Sequence, residues 1–354
     1  MSRPERDAYC LVPRSAIPAD EWDDFVLRRS DAAWLWHLAD FQDVMIGRGL
    51  EDLSFALRAK PGGEILAVMP LHRRRRLELH LFRWFTAHSH GGPALHNGVG
   101  ERQRGKILAA IQAYLQATAR QHQITEITIA VPLVAPAYRG KRCPLINPLL
   151  QLGCECNTEP AWMVSLIPTM EEIRRAYSYQ TRSDLRKAHD YTIHEARDES
   201  ELEKYYRLHI ETCRRTADKP HPLNYFKTVF ERFLVNHRCR ILFYEKDGQT
   251  FSAQCTGLLK GGANYWFGSS ITAKPQHGGE NRVLFDQQFE LARAEGNEWY
   301  FMGGAVLQGS LVGISNFKGS FGSQLFPYYH GRIVYNLQRR RFFTHLELLT
   351  GYSE

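Results

Sequence analysis

Apolar and polar residues alternate over two short stretches near the start of the chain, and this pattern predicts a pair of β-strands. The stretches cover residues 53–58 and 65–71, and Pro61-Gly62-Gly63 between them suits a tight hairpin turn. Apolar residues then recur every three or four positions over residues 102–121, which predicts a helix, and they alternate again over 126–131, which predicts another strand. The first part of the chain is therefore predicted to mix helices with strands.

The second part of the chain repeats this order of elements. Its predicted helices cover residues 171–187, 199–216, 225–233 and 281–294, and its predicted strands cover 240–244, 251–259 and 264–268, with two more around Tyr300 and Ile333. The repetition predicts an α/β fold of the α+β kind with two tandem domains, residues 1–160 and 161–354. Each domain is expected to contain a mixed, mostly antiparallel sheet flanked by helices.

The composition is that of a folded protein with a basic surplus. Of the 354 residues, 44% are hydrophobic and 23% are charged, and the formal net charge is +7. We therefore expect an anionic partner, whether a nucleic acid, a phosphate-bearing cofactor or a membrane surface. No apolar run reaches the roughly 20 residues of a membrane helix, and the first residues do not resemble a signal peptide, so we expect a cytoplasmic protein. The seven scattered cysteines predict neither a disulfide framework nor a metal site.

Residues 297–323 place one lysine among aromatic and glycine residues. Phe317 precedes Lys318 and Phe321-Gly322 follows it, in a stretch that we predict to be a turn after a strand ending at Gly303-Gly304. Aromatic neighbours can exclude water from an ammonium group and fix its direction, so this lysine can hold an anion or a developing oxyanion. The alternative is a lysine that extends over packed rings at the end of a strand.

Two further segments can bind an anionic donor. In one, glycines precede a predicted helix, where backbone amides and the helix dipole favour phosphate or carboxylate groups. In the other, a predicted helix carries several cations, which are typical of phosphate contacts. The candidate donor-binding residues are Gln276, Gly278 and Gly279 in the first segment and Arg182, Arg186 and Lys187 in the second.

Three stretches of the second half, residues 181–188, 265–270 and 313–322, carry a resemblance to a known family. Through them, residues 160–335 resemble the C-terminal half of the Fem-type family, the peptidoglycan bridge aminoacyltransferases and their relatives. That family is built from two tandem acetyltransferase-like (GNAT-type) domains. The resemblance therefore implies two tandem GNAT-like domains and an acyltransferase that forms an amide bond.

The resemblance also implies roles for individual residues. In that family a Phe-Lys pair lies at the acceptor site and its lysine stabilises the oxyanion, so Phe317 and Lys318 are the expected catalytic pair. The expected substrate-binding residues are Tyr265, Tyr225, His221 and Phe321. His221 stands where the family has an arginine four residues before the tyrosine, and no long helical arm is inserted. We therefore expect a small-molecule or peptide amine as acceptor, smaller than a lipid-linked muropeptide.

The expected chemistry is direct attack of an amine on an activated acyl carbon, because two substrates held in line need no covalent intermediate. Candidates for a general base are His209, His221 and Glu211. The expected donor is aminoacyl-tRNA, a co-substrate that requires no bound cofactor; the alternatives are an acyl-CoA donor and a non-catalytic basic binding protein on the same fold. Asn281 stands where acetyl-CoA enzymes have a small residue, and this favours the tRNA donor.

Overall fold

The computed structural model describes residues 9–79, 82–141, 147–188, 191–271, 279–306, 309, 312–338 and 342. The chain divides into two compact units. The first unit contains the chain up to Ala137, the segment that ends at Thr158, and the chain from Tyr328 onward; the second contains a short segment from Tyr138 and residues 159–327. The boundary predicted from sequence lies after residue 160. The return of the chain to the first unit at residue 328 was not predicted.

In the described residues, the first unit contains eight whole strands, part of the chain's last strand, and three α-helices. The strands are β1 (Cys10–Pro13), β2 (Glu51–Asp52), β3 (Phe55–Arg58), β4 (Ile65–Met69), β5 (His72–Leu79), β6 (Phe82–Ser89), β7 (Ala94–Leu95) and β8 (Ile124–Ala130). The helices are α1 (Ala19–Asp24), α2 (Ala39–Gly47) and α3 (Glu101–Gln121).

The remaining elements begin with β9 (Glu155–Ser165), α4 (Met170–Arg175), α5 (Tyr179–Lys187), β10 (Thr192–Glu195), α6 (Leu202–Thr216) and α7 (Leu223–Val229). They continue with β11 (Cys239–Lys246), β12 (Gln249–Leu259), β13 (Gly262–Ser270), α8 (Glu280–Ala294), β14 (Trp299–Gly304), α9 (Val312–Gly319) and β15 (Gln324–Val334). The chain enters the second unit within β9 and leaves it within β15.

The strands of the first unit form a small sheet, β1-β3-β4-β7, and a second sheet with the order β2-β5-β6-β8-β15. The predicted hairpin is confirmed, since β3 pairs antiparallel with β4 and places Phe55 opposite Met69. One pair is parallel: β6 runs beside β8, and α3 connects them. Pairing there extends to Ser89 opposite Ile129, so it continues to the last residue of β6.

The second unit contains strands in the order β10-β11-β12-β13-β14-β9. Its pairs are antiparallel except for β13 and β14, which are parallel and are joined by α8. On the inner face of α8, Phe285 and Phe289 pack against Tyr300 of β14, and all three side chains are at most 3% exposed. The predicted fold class, mixed sheets flanked by helices in two units, is confirmed.

Two local predictions were wrong. The single helix predicted over residues 171–187 is two helices, α4 and α5, because the Ser178 hydroxyl accepts a hydrogen bond from the Thr181 amide (3.2 Å) and starts a new helix there. The turn predicted around Lys318 is the helix α9, and Lys318 lies in its last turn. No helix in the described ranges has the length and apolar character needed to cross a membrane.

Candidate functional site

The parallel strands β13 and β14 separate after a short pairing. Their register runs from Gly262 opposite Trp299 to Asn264 opposite Phe301, whereas β13 continues to Ser270 and β14 to Gly304. We call the region beyond these pairs the β13–β14 fork. It lies at the carboxyl end of two parallel strands, the edge at which ligands bind in open α/β sheets.

A bulge in each strand marks the start of the fork. On β13, Tyr265 pairs with Thr256 and Phe267 pairs with Cys255 of β12, so Trp266 is an extra residue. On β14, a similar shift occurs against β9 between Phe301 and Gly303. Because a bulge bends and twists its strand, these two irregularities explain why the strands separate at this point.

Lys318 lies against the end of β14 at the fork. Its Nζ donates a hydrogen bond to the Gly304 carbonyl oxygen at 3.3 Å. A Cβ atom on Gly303 would lie 2.8 Å from the same Nζ, so the bare glycine backbone leaves room for the amine. Gly303 also has a φ of +101°, which glycine adopts without strain. Partial burial lowers the pKa of Lys318 from its ordinary value.

Trp162 of β9 holds α9, and therefore Lys318, in position. Its indole Nε1 donates to the Ser315 hydroxyl at 2.9 Å, and its ring would lie 3.2 Å from a Cβ atom on Gly319. Trp162 is also the strand partner of Gly303. The helix that carries the lysine and the strand end that receives it are thus fixed by one side chain, which sequence reasoning did not identify.

Phe317 forms one wall of the same region. Its ring lies 5.8 Å from that of Phe285, and the Arg282 guanidinium lies over it at 5.2 Å. Arg282 in turn forms a 2.8 Å ion pair with Asp184 of α5. The predicted substrate-binding residue Phe321 is only 1% exposed. Its ring packs in the core against Phe285 and Phe317, so it supports the wall and does not reach a binding surface.

Tyr265 also packs against the Phe285 ring, with the two ring centres 5.1 Å apart. Burial raises the pKa of its phenol to about 12, so the group stays neutral. The phenol oxygen would lie 2.5 Å from a Cβ atom on Gly268, which shows how closely Tyr265 packs on the bare backbone of its own strand. Tyr265 and Phe317 therefore pack on the same ring, and Lys318 follows Phe317 in α9.

His221 and Tyr225 form a cluster that reaches the β13 bulge. The His221 amide donates to His209 Nε2 at 3.0 Å, and the two imidazole rings are stacked with centres 5.6 Å apart. Trp266, the bulged residue, donates from Nε1 to the Tyr225 phenol oxygen at 3.0 Å. Burial lowers the pKa of His209, which favours the neutral ring that accepts the hydrogen bond from the His221 amide. The third candidate base, Glu211, is exposed on α6.

The predicted donor-binding residues are less closely grouped. The Arg182 guanidinium donates to the carbonyl oxygens of Arg175 and Tyr177, so it closes the end of α4. Arg186 and Lys187 are exposed in the last turn of α5. Gly279 is buried immediately before α8. Gln276 and Gly278 lie outside the described residues.

Besides Trp162, two further residues that the sequence did not single out hold parts of the site in place. Trp266 and Arg282 anchor the Tyr225 cluster and the Phe317 ring, respectively. No local signal marked them, because an aromatic residue in a strand and an arginine on a helix are ordinary core and surface residues. In the part of the chain that the structure describes, no group of histidine, cysteine or acidic side chains is arranged to hold a metal ion.

Comparison with known protein families gives a match within the second unit. Residues 173–318 match the acetyltransferase (GNAT) domain family. No curated protein gives a significant match to the chain. Among solved structures, FemX has a TM-score of 0.66 at 13% identity, with 95% of this chain and 99% of that chain covered.

Two other solved structures cover both units. L-PGS from Bacillus licheniformis has a TM-score of 0.55 at 13% identity, covering 95% of this chain and 97% of that chain. A tandem GNAT protein from the clavulanic acid biosynthesis pathway has a TM-score of 0.53 at 13% identity, covering 92% and 98%. At these identities the likeness shows the fold, which is that of a tandem GNAT protein similar to FemX.

The class of the protein follows from the domain match and the fold together. Residues 173–318 of the second unit match the acetyltransferase (GNAT) domain, and the fork and Lys318 lie within these matched residues. The chain is therefore an enzyme of the acyltransferase class. The predicted resemblance to Fem-like and GNAT proteins is confirmed at the level of fold.

Proposed function

We propose that the protein transfers an aminoacyl group from aminoacyl-tRNA to an amine acceptor by direct attack. The observation that carries this proposal is the Lys318 amine, partly buried and placed by the bare Gly303-Gly304 backbone at the end of the β13–β14 fork. A cation at this position suits the negative charge that develops on a carbonyl oxygen during acyl transfer.

The reaction needs little beyond alignment and charge stabilisation. The amine nitrogen forms a bond to the ester carbonyl carbon, and the carbonyl oxygen becomes negative beside the lysine ammonium. The bond to the ribose oxygen of the tRNA then breaks, and the proton lost by the amine neutralises that leaving oxygen. Holding the two substrates in line replaces a covalent intermediate. Removing one such stabilising group typically lowers kcat by about 100- to 1,000-fold.

Charges around α8 support a tRNA donor over acyl-CoA. Glu280 lies in the first turn of α8, where a pyrophosphate group would need positive potential. Arg282, the nearby cation in that turn, forms its ion pair with Asp184. The exposed Arg186 and Lys187 and the net charge of +7 suit a large polyanion. The fold shared with FemX and L-PGS is consistent with this reading.

An acyl-CoA donor is the second candidate, because residues 173–318 match a family described by acetyl transfer. The fork also offers unpaired strand edges to an amide-containing chain such as the CoA arm.

The two donors can be separated by one experiment. The protein is incubated with radiolabelled aminoacyl-tRNA or radiolabelled acetyl-CoA, each with a panel of free amino acids, short peptides and polyamines as acceptors. We expect label to move from aminoacyl-tRNA to an amine, and RNase treatment of the donor to abolish the product. Transfer from acetyl-CoA with aminoacyl-tRNA left intact would overturn the proposal.

A lysine substitution tests the role of the amine in the same assay. Lys318→Met keeps much of the side-chain volume but removes the charge, and we expect kcat to fall by about 100-fold or more. The control is Lys227→Met, which removes an exposed lysine from α7 of the same unit. An unchanged rate in Lys318→Met would show that Lys318 has no part in the reaction.

A further inference from the structure

Four consecutive arginines of the first unit, residues 73–76, lie on β5 and are called the β5 arginines here. Pairing between β2 and β5 joins Glu51 to Arg73 and Asp52 to His72, so the register ends at the first of these arginines. Arg74 and Arg75 are exposed. The segment therefore presents guanidinium groups at the edge of the sheet where the short β2 pairing stops.

Two of the β5 arginines are held over aromatic rings of the neighbouring strand β6. The guanidinium carbon of Arg73 lies 3.9 Å from the centre of the Phe85 ring, and that of Arg76 lies 5.5 Å from the Trp84 ring. Both rings are buried, with 8% and 4% of their surfaces exposed. Phe85 and Trp84 are consecutive residues of β6 and point to opposite faces, so the two guanidiniums stacked on them lie on opposite faces of the sheet. Positive charge thus surrounds the edge on both sides.

A second basic element adjoins the first of these arginines. Arg73 donates a 3.1 Å hydrogen bond to His122 Nδ1, and it forms a 3.1 Å ion pair with Glu51. His122 follows directly after α3, whose last turn carries the exposed Arg120. The exposed Arg120 therefore adds a cation near the β5 arginines, while Glu51 contacts both Arg73 and His122.

We infer that the β5 arginines bind the phosphodiester backbone of the tRNA donor. This inference rests on the proposed function. A charged edge strand also prevents sheets from pairing with one another, but lysine is the residue most used for that purpose. Arginine stacks on aromatic rings and pairs with phosphate through a planar fork of donors. Four adjacent arginines on the two faces of one edge of the sheet are therefore better suited to contacting a chain of phosphates than to preventing sheets from pairing.

Fluorescence anisotropy with labelled, deacylated bulk tRNA tests the inference over 50 to 200 mM salt. The variant is Arg74→Ala/Arg75→Ala, which removes the two exposed members. The control is Arg102→Ala/Lys106→Ala, which removes two exposed cations from α3 of the same unit. Each phosphate contact contributes about 0.7 to 0.9 to the slope of log affinity against log salt. We expect the variant to lose about 1.4 to 1.8 units of slope and about 10- to 30-fold in affinity near 150 mM salt.

Each outcome bears on the inference. A selective loss in Arg74→Ala/Arg75→Ala, with partial recovery in Arg74→Lys/Arg75→Lys, supports it. Equal losses in the variant and the control indicate diffuse charge and overturn it, and so does an unchanged affinity. Loss of binding to phosphatidylglycerol vesicles with tRNA affinity unchanged overturns it in favour of a membrane surface. Thermal unfolding of each variant confirms that it remains folded.

The transfer assay separates failure of the inference from failure of the proposed function. If the wild-type protein uses aminoacyl-tRNA and Arg74→Ala/Arg75→Ala binds tRNA normally, only the inference fails. If the wild-type protein binds tRNA through the β5 arginines but takes its acyl group from acetyl-CoA, the proposed donor is wrong and the binding surface stands as a site for RNA.

Discussion

Replacing Gly303 by alanine tests whether the contact between bare backbone and amine controls the reaction. The new Cβ would lie 2.8 Å from Lys318 Nζ, inside the 3.4 Å at which ordinary contact begins. Since Nζ is the free end of a flexible side chain, the amine moves and its 3.3 Å hydrogen bond to the Gly304 carbonyl is lost. The alanine must also adopt a φ of +101°, which costs about 1 to 3 kcal/mol in folding free energy.

The expected result has two parts. Denaturant unfolding should show a loss of about 1 to 3 kcal/mol from backbone strain. The kcat of acyl transfer should fall by about 10- to 100-fold, less than the loss expected for complete removal of a stabilising group. Gly304→Ala is the matched control, because a Cβ there meets nothing within 4 Å and its φ is not positive. We expect Gly304→Ala to change kcat by less than about twofold.

A double-mutant cycle identifies the cause of the loss in kcat. If Gly303→Ala acts by displacing the amine, it should have little further effect on kcat in a Lys318→Met background, because the group that it displaces is already gone. The loss of free energy of unfolding that backbone strain causes should be the same with and without the lysine. An equal loss of kcat with and without the lysine would refute the reasoning, since the alanine would then act through the strand alone.

Two further predictions concern residues away from the reacting groups. Trp162→Phe removes the hydrogen bond to Ser315, so α9 should be held less firmly. We expect the free energy of unfolding to fall by about 1 kcal/mol and kcat to fall several-fold, with KM nearly constant. An unchanged kcat would contradict the role of this indole. Burial lowers the pKa of His72 to about 4, so the folded protein holds the ring neutral while the unfolded chain takes up a proton below about 6.5. The stability due to this residue is therefore complete above that pH and is lost as the pH falls towards 4, by about 3 kcal/mol in total. His72→Phe should make the free energy of unfolding fall less steeply between these pH values in urea titrations, and an unchanged pH dependence would contradict the assignment.

Periodic patterns in the sequence were sufficient to predict most elements. The hairpin around Pro61-Gly62-Gly63 and the long helix α3 were predicted because their signals are local. The break at Ser178 was missed because a serine within a basic helical pattern has no periodicity of its own, although its hydroxyl caps a new helix. The helix α9 was missed because Gly313 and Gly319 favour a turn, whereas packing of Gly319 on Trp162 stabilises the helix.

The sequence singled out the candidate pair Phe317 and Lys318 but not the contacts that hold it. Phe317 and Lys318 stood out as a lysine among aromatic residues, and the structure places them beside the fork. The contacts that fix them join distant positions, such as the ion pair of Arg282 with Asp184. No pattern along the chain reports such a pair, because any exposed arginine and aspartate show the same local signal. Phe321 was predicted to bind substrate because it is an aromatic residue next to the motif, but its ring lies in the core.

The two parallel strand pairs explain why only one unit carries the proposed chemistry. In the first unit, β6 and β8 remain paired up to Ser89 and Ile129, the end of β6, so their backbone groups bond to each other and offer no opening. In the second unit, pairing stops after Asn264 and Phe301, and bulges turn both strands away from each other. Beyond Phe301, β14 no longer pairs with β13, and Lys318 lies against the end of β14, so the second unit has an opening between strands and a cation at one point. Binding of the donor by the β5 arginines would give the first unit a different part in the same reaction.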